Sequence, residues 1–172
     1  MPQRSPTGGD DHEAQDQEAA QVLTRIPNGL DEIQHTFGFI DDRDFETTNI
    51  VSFDLPYPLL YGEQAVHRSR CHRLVVDNFR QAFLEIAHAG LEDEARHYGG
   101  IYNQRAIRGA SSHPSTHSWG IAIDLEPAKY PLRSDARFPV AIVDIFKRAG
   151  FFYGGDFRSR KDPMHFQICT GY

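Results

Sequence analysis

The chain has 172 residues, 40% hydrophobic and 24% charged, the makeup of a soluble globular protein near the size of one hydrophobic core. Its formal charge of -6 argues against nucleic acid or an anionic membrane surface as a partner, because binding phosphates needs a basic surface that releases counterions. No stretch approaches the roughly 18 apolar residues of a membrane span, and Met1-Pro2-Gln3-Arg4-Ser5 leads into no apolar signal segment, so the expectation is synthesis in the cytoplasm without membrane insertion.

Residues 1–21 are rich in Gly, Asp, Glu and Gln and hold almost nothing to bury, which predicts a mobile tail or a frayed helix ahead of a domain over 22–172. Leu30, Ile33 and Phe37 stand at helical spacing, and Gly38 closes that helix. From Asn49 to Leu55 apolar and polar residues alternate as in a strand or extended arm, which Pro56 and Pro58 are expected to stop. The clearest helix runs from Arg73 to Ala89, with Val76, Phe79, Phe83 and Ile86 as its apolar stripe and Gly90 after it. A second runs from Pro139 to Ala149, with Val140, Val143, Phe146 and Ala149 as its face and Gly150 beyond its end. The order of elements predicts an α+β fold with a small, mostly antiparallel sheet and no internal repeat. Cys71 and Cys169 are too few to define a disulfide framework, and free thiols are the favoured of the two readings.

Chemistry concentrates in two short segments. From Gly120 to Leu125, Ile121, Ile123 and Leu125 point to one face of a strand and Gly120, Ala122 and Asp124 to the other. The large residues make core, and the small ones leave room in front of the carboxylate. His117 precedes this strand in a Ser/Thr-rich turn that can carry its imidazole back beside Asp124. Near the C-terminus Met164, Phe166 and Ile168 face one way and His165, Gln167 and Cys169 the other. If the two strands are neighbours, His117, Asp124 and His165 supply three metal ligands at about 2.0 to 2.2 Å with a fourth position left for water. Cys169 lies too far along its strand to be the fourth, roughly 13 Å from His165 at about 3.3 Å per residue. His12, His67, His72, His88 and His97 read as bystanders, and His113 is the rival ligand. Trp119 packs behind the turn or, as the second reading, lines a cleft. Gly154-Gly155 is either a plain turn or a place where a substrate backbone approaches closely.

The pattern Ser115-x-His117-x-x-Gly120-x-Ala122-x-Asp124, followed by Asp162-x-x-His165, resembles the zinc signature of the peptidase M15 family. That family comprises D-alanyl-D-alanine carboxypeptidases and dipeptidases and the L-alanyl-D-glutamate endopeptidases of phage endolysins. The similarity extends over Gly99 to Arg105 and Gly150 to Phe157, closely over 99–168 and loosely over 26–98. The resemblance implies an α+β fold shared with hedgehog signalling domains, and a Zn²⁺ held by His117, Asp124 and His165. It implies Asp162 as general base and Arg105 as the arginine that binds substrate and meets the oxyanion, with Arg108 as second candidate. Ser115 and Trp119, inside the signature, join Arg105 and Arg108 as candidate substrate contacts. Two departures stand out. Asp162 replaces the Glu common in members that release D-Ala, as in the endolysin-type branch, and Gln167 stands where many relatives have an acidic residue. The expected activity is hydrolysis of peptidoglycan stem peptides at the L-Ala-D-Glu bond. A D-Ala-D-Ala carboxypeptidase or dipeptidase is the first rival, and a zinc-stabilised module that binds without cleaving is the second. A substrate outside the cytoplasmic membrane implies delivery by phage lysis or by a secretion machine.

Overall fold

A computed structural model describes residues 23, 25–107 and 110–172. The tail expected over 1–21, His12 and Arg108 lie outside the described residues. In chain order the elements are α1 (Gly29–Phe37), α2 (Phe45–Asn49), β1 (Ile50–Tyr61), β2 (Gln64–His72), α3 (Val76–His88), β3 (Tyr98–Gly100), β4 (Ala106–Ile107), β5 (Ala110–Pro114), β6 (Ala122–Leu125), α4 (Val140–Arg148), β7 (Phe152–Tyr153) and β8 (His165–Gln167). Four strands form one antiparallel sheet in the order β3-β6-β8-β7, while β1 with β2 and β4 with β5 form two-stranded ribbons. The result is the expected α+β arrangement, a small antiparallel sheet flanked by helices. Among the described residues no helix is long and apolar enough to cross a membrane.

The prolines do not end the first strand. β1 continues through Pro56 and Pro58 to Tyr61, because both fall where pairing with β2 lapses, between Asp54↔Arg68 and Leu59↔Val66. A proline in an irregular stretch of a ladder gives up no hydrogen bond that the partner strand needs. Its partner β2 carries only a weak apolar pattern, with Ser69, Cys71 and His72 as its buried residues, and so left little trace in the sequence.

The long helix begins as a single 3-10 turn, Arg73–Val75, before α3 proper. Its buried face is Asn78, Phe79, Ala82, Phe83 and Ile86, with Val76 at the margin. In α4 the buried face is Ile142, Val143, Ile145 and Phe146, and Val140, expected on it, is 74% exposed. At about 100° per residue, Val140 lies opposite the side shared by Ile142, Ile145, Phe146 and Ala149. Phe83 of α3 meets Phe146 of α4 edge to face with ring centroids 6.2 Å apart. The Asn78 side chain spans the same helices and donates to the Ala149 carbonyl at 2.8 Å.

The inner face of the sheet is aromatic. Phe166 of β8 lies against Phe146, Tyr153 and Phe138 at centroid distances of 4.2, 5.0 and 5.4 Å. Anchoring Phe166 there sends His165 and Gln167 to the other face, since neighbouring residues on a strand point opposite ways. Core packing therefore sets the direction of the functional side chains.

Candidate metal centre

His117 sits in a 3-10 turn, Thr116–Trp119, whose first amides are capped by the Ser115 hydroxyl, which accepts from His117 N–H at 3.4 Å. Gly120 closes the turn in the left-handed region, at φ 68°, and a Cβ there would lie 2.8 Å from the His72 backbone nitrogen. Only glycine meets both conditions without strain. The His117 ring is oriented by Nδ1, which donates to the Ile101 carbonyl at 2.7 Å. That bond leaves Nε2 as a bare lone pair, buried and with no hydrogen-bond partner among the described residues, 3.3 Å from Asp124 Oδ1.

Asp124 of β6 and His165 of β8 are directly paired in the sheet register. His165 Nδ1 lies 2.9 Å from Asp124 Oδ1, and its Nε2 donates to Gln167 Oε1 at 2.9 Å. The Thr116 hydroxyl donates to the same Gln167 oxygen at 3.2 Å, while the Gln167 amide nitrogen donates to the Cys169 carbonyl. Those contacts fix which way the amide points, and with it the tautomer that leaves His165 Nδ1 free for a metal.

The three candidate ligand atoms all lie within 4.8 Å of one another, and the residues that bear them are buried. Donors about 2.0 to 2.1 Å from a tetrahedral ion lie roughly 3.3 to 3.4 Å apart. The 3.3 Å and 2.9 Å edges to Asp124 Oδ1 are close to that figure. The orphaned Nε2 of His117 has the same explanation, so the donor set fits a divalent cation. Burial pushes the Asp124 carboxyl up, but the His117 and His165 rings beside it outweigh this and hold it well below the usual carboxylate range. That favours the ionised form, the one a metal ligand must present.

Beside the triad, Asp162 shows the opposite balance. Burial, with the charge of Asp124, raises its carboxyl despite the opposing pull of His165, and its Oδ1 has no hydrogen-bond partner among the described residues. Its backbone is held at both ends, N–H to the Gly154 carbonyl at 2.9 Å and carbonyl to His165 N–H at 3.0 Å. Gly154 makes this possible because a side chain there would collide with Asp162 and His165. The Gly154–Asp156 segment is thus a turn packed against its own chain.

Arg105 brings its Nη2 to 3.8 Å from Asp124 Oδ2. Its backbone is clamped by Ser118, whose Oγ accepts from Arg105 N–H and donates to the Arg105 carbonyl, both at 2.9 Å. Arg105, Ser115, His117, Asp124, Asp162 and His165 all line one cavity of about 670 Å³. Trp119 does not. It is fully buried, donates through Nε1 to the Gly38 carbonyl at 2.9 Å and packs behind the turn, which removes it from the candidate substrate contacts.

Among the described residues the cluster includes neither His113 nor either cysteine. Cys71 and Cys169 are buried free thiols, the latter pushed up to about 12 by burial. Of the bystander histidines, His72 is bonded to Phe37 and Leu74, and His97 to Glu126. Sequence reasoning missed Thr116, Ser118 and the Ile101 carbonyl as supports. Period-two alternation had placed Gln167 on the face of His165, the one available signal for its role.

Residues 108–168 match the family model described as D-alanyl-D-alanine carboxypeptidase, of the M15 peptidases. No curated protein matches the chain. The matched segment contains His117, Asp124 and His165, and this His-Asp-His cluster is of the kind typical of M15-like zinc metallopeptidases.

Proposed function

We propose that this protein is a zinc peptidase that cuts peptidoglycan stem peptides, preferentially between L-Ala and D-Glu, with Asp162 as general base and Arg105 as oxyanion partner. The observation that supports it most is the buried His-Asp-His cluster with an unpartnered carboxylate oxygen beside it in one open cavity. Bound at the triad, Zn²⁺ supplies a Lewis acid that polarises the scissile carbonyl and lowers the pKa of the attacking water. Asp162 takes the proton and later delivers it to the leaving amine; its raised affinity for protons suits the second of these tasks. The Arg105 guanidinium, directed by the Ser118 clamp, meets the negative charge that develops on the carbonyl oxygen. A module that only bound a partner would have no use for a desolvated carboxylate next to its metal.

Intact peptidoglycan incubated with the zinc-loaded protein is expected to gain N-terminal D-Glu. Release of D-Ala as the main product would favour the second reading, a D-Ala-D-Ala carboxypeptidase or dipeptidase, which the description of the matching family supports. Release of neither would favour the binding module. The wall substrate places the site of action outside the cytoplasmic membrane, reached after release or secretion.

A further inference from the structure

The cavity that holds the triad has a second chemical character. The loop after β7 carries Arg158 and Arg160 into its wall. Several cations nearby are neutralised, though not Arg133: Arg137 and Lys147 pair with Asp156 at 3.0 and 2.9 Å, and Lys161 with Asp135 at 3.2 Å. No such pair forms at Arg158 or Arg160 among the described residues, although the chain carries a net charge of -6. Arg160 Nε is, moreover, buried without a hydrogen-bond acceptor among the described residues. A guanidinium N–H withdrawn from water is costly unless something else supplies the acceptor. The chain just after it is tethered, since the Lys161 carbonyl accepts from Arg133 N–H at 2.8 Å and Asp162 N–H is held by Gly154 at 2.9 Å.

Position says which part of a substrate would meet it. Arg105 lies on the triad side of the cavity, next to Asp124, whereas Arg160 precedes Asp162 by two residues and acts electrostatically on its carboxyl. Asp162 is the group that hands a proton to the leaving amine, so its neighbour faces the leaving side. We infer that Arg160, seconded by Arg158, binds the α-carboxylate of the amino acid that leaves as the amine, and that this carboxylate selects the substrate. The inference rests on the peptidase reading of the same cavity. In an L-Ala-D-Glu bond the chain continues through the γ-carboxyl of D-Glu, whose α-carboxylate stays free; a terminal D-Ala also presents one. Within an ordinary α-linked peptide that group is consumed in the next amide, so the same contact excludes ordinary polypeptides.

The test compares two matched pairs on the zinc-loaded protein: a stem peptide with L-Ala-D-Glu, free or amidated at the D-Glu α-carboxyl, and a D-Ala-D-Ala peptide, free or amidated at its C-terminus. Whichever pair is cleaved identifies the source of the carboxylate. Within it the acid is expected to exceed the amide in kcat/KM by about 10- to 150-fold, the range for hydrogen bonds to a charged group, mainly through KM. Arg160→Gln is expected to erase that ratio, and Arg160→Lys to restore part of it, since lysine keeps the charge without the planar fork. Calorimetry with a reduced-amide analogue of the acid reads the same contact without turnover, and Arg160→Gln is expected to weaken it. Equal cleavage of acid and amide by the native protein, or a ratio that survives Arg160→Gln, overturns the inference and leaves the peptidase standing. If no peptide is cleaved but the analogue binds in an Arg160-dependent way, the peptidase reading fails and the carboxylate site stands.

Discussion

Among the described residues, His117 and Asp162 each keep a buried polar atom without a partner, and they do so for different reasons. Nε2 of His117 is a ligand atom held bare by the bond from Nδ1 to Ile101, whereas Asp162 Oδ1 stands outside the three-residue cluster. The distinction is measurable. Alanine at His117, Asp124 or His165 is expected to strip zinc from the purified protein, while His113→Ala keeps it. Asp162→Ala is expected to keep zinc and fold and to lose about a hundred- to ten-thousand-fold in turnover, the usual worth of general acid-base help. Elemental analysis beside a peptide-cleavage assay checks both, and zinc loss in Asp162→Ala would make that residue a ligand. Gln167 gives an intermediate case. It fixes the His165 tautomer through Nε2 without touching the metal, so Gln167→Leu is expected to weaken zinc affinity by about 10- to 100-fold in a chelator competition.

At the scale of elements, the junction of β2 with the 3-10 turn before α3 is a pH-sensitive joint. The His72 ring is used as a neutral base: Nε2 donates to the Phe37 carbonyl at 3.0 Å and Nδ1 accepts from Leu74 N–H at 3.2 Å. A second ring proton would meet the Leu74 N–H head-on. Burial holds this imidazole at about 4 against an ordinary 6.5, with the bond to Phe37 opposing and the nearby Arg73 adding to the shift. Between those two values the unfolded chain binds the proton that the folded chain refuses, so stability is full above about 6.5 and falls as the pH drops towards 4. The loss is about 2 kcal/mol by pH 5, from about 1.4 kcal/mol per pH unit. Urea unfolding at pH 7 and pH 5 checks it, and His72→Gln is expected to flatten the difference. Gly120 packs on the same His72 backbone, so the joint also carries the turn that aims His117.

At the scale of the molecule, the triad ties distant parts of the chain together. His117 stands on a turn, Asp124 and His165 on neighbouring strands, and the supporting carbonyl belongs to Ile101. A ligand that binds only the folded arrangement stabilises it by mass action, about 4 kcal/mol at a thousandfold excess over its dissociation constant. Chelation is therefore expected to lower the thermal midpoint and added zinc to restore it, with no such response in Asp124→Ala. A midpoint indifferent to chelator in the native protein would mean that the site is not loaded.

Much of this was already legible along the chain. Alternation over Gly120 to Leu125 and over Met164 to Cys169 placed Asp124, His165 and Gln167 on their faces, and α1, α3 and α4 announced themselves through helical spacing and a following glycine. These signals are local, because a strand's period of two and a helix's of 3.6 are set by the backbone of consecutive residues. What only the tertiary structure decided is non-local. The pairing of Asp124 with His165, the passage of β1 through Pro56 and Pro58, the exposure of Val140 and the burial of Trp119 all depend on which surface each element meets. The donation from His117 to Ile101 and the placing of Arg158 and Arg160 in the cavity wall depend on it as well. Spacing in the sequence states which way a side chain points, and packing between distant segments decides what it finds there.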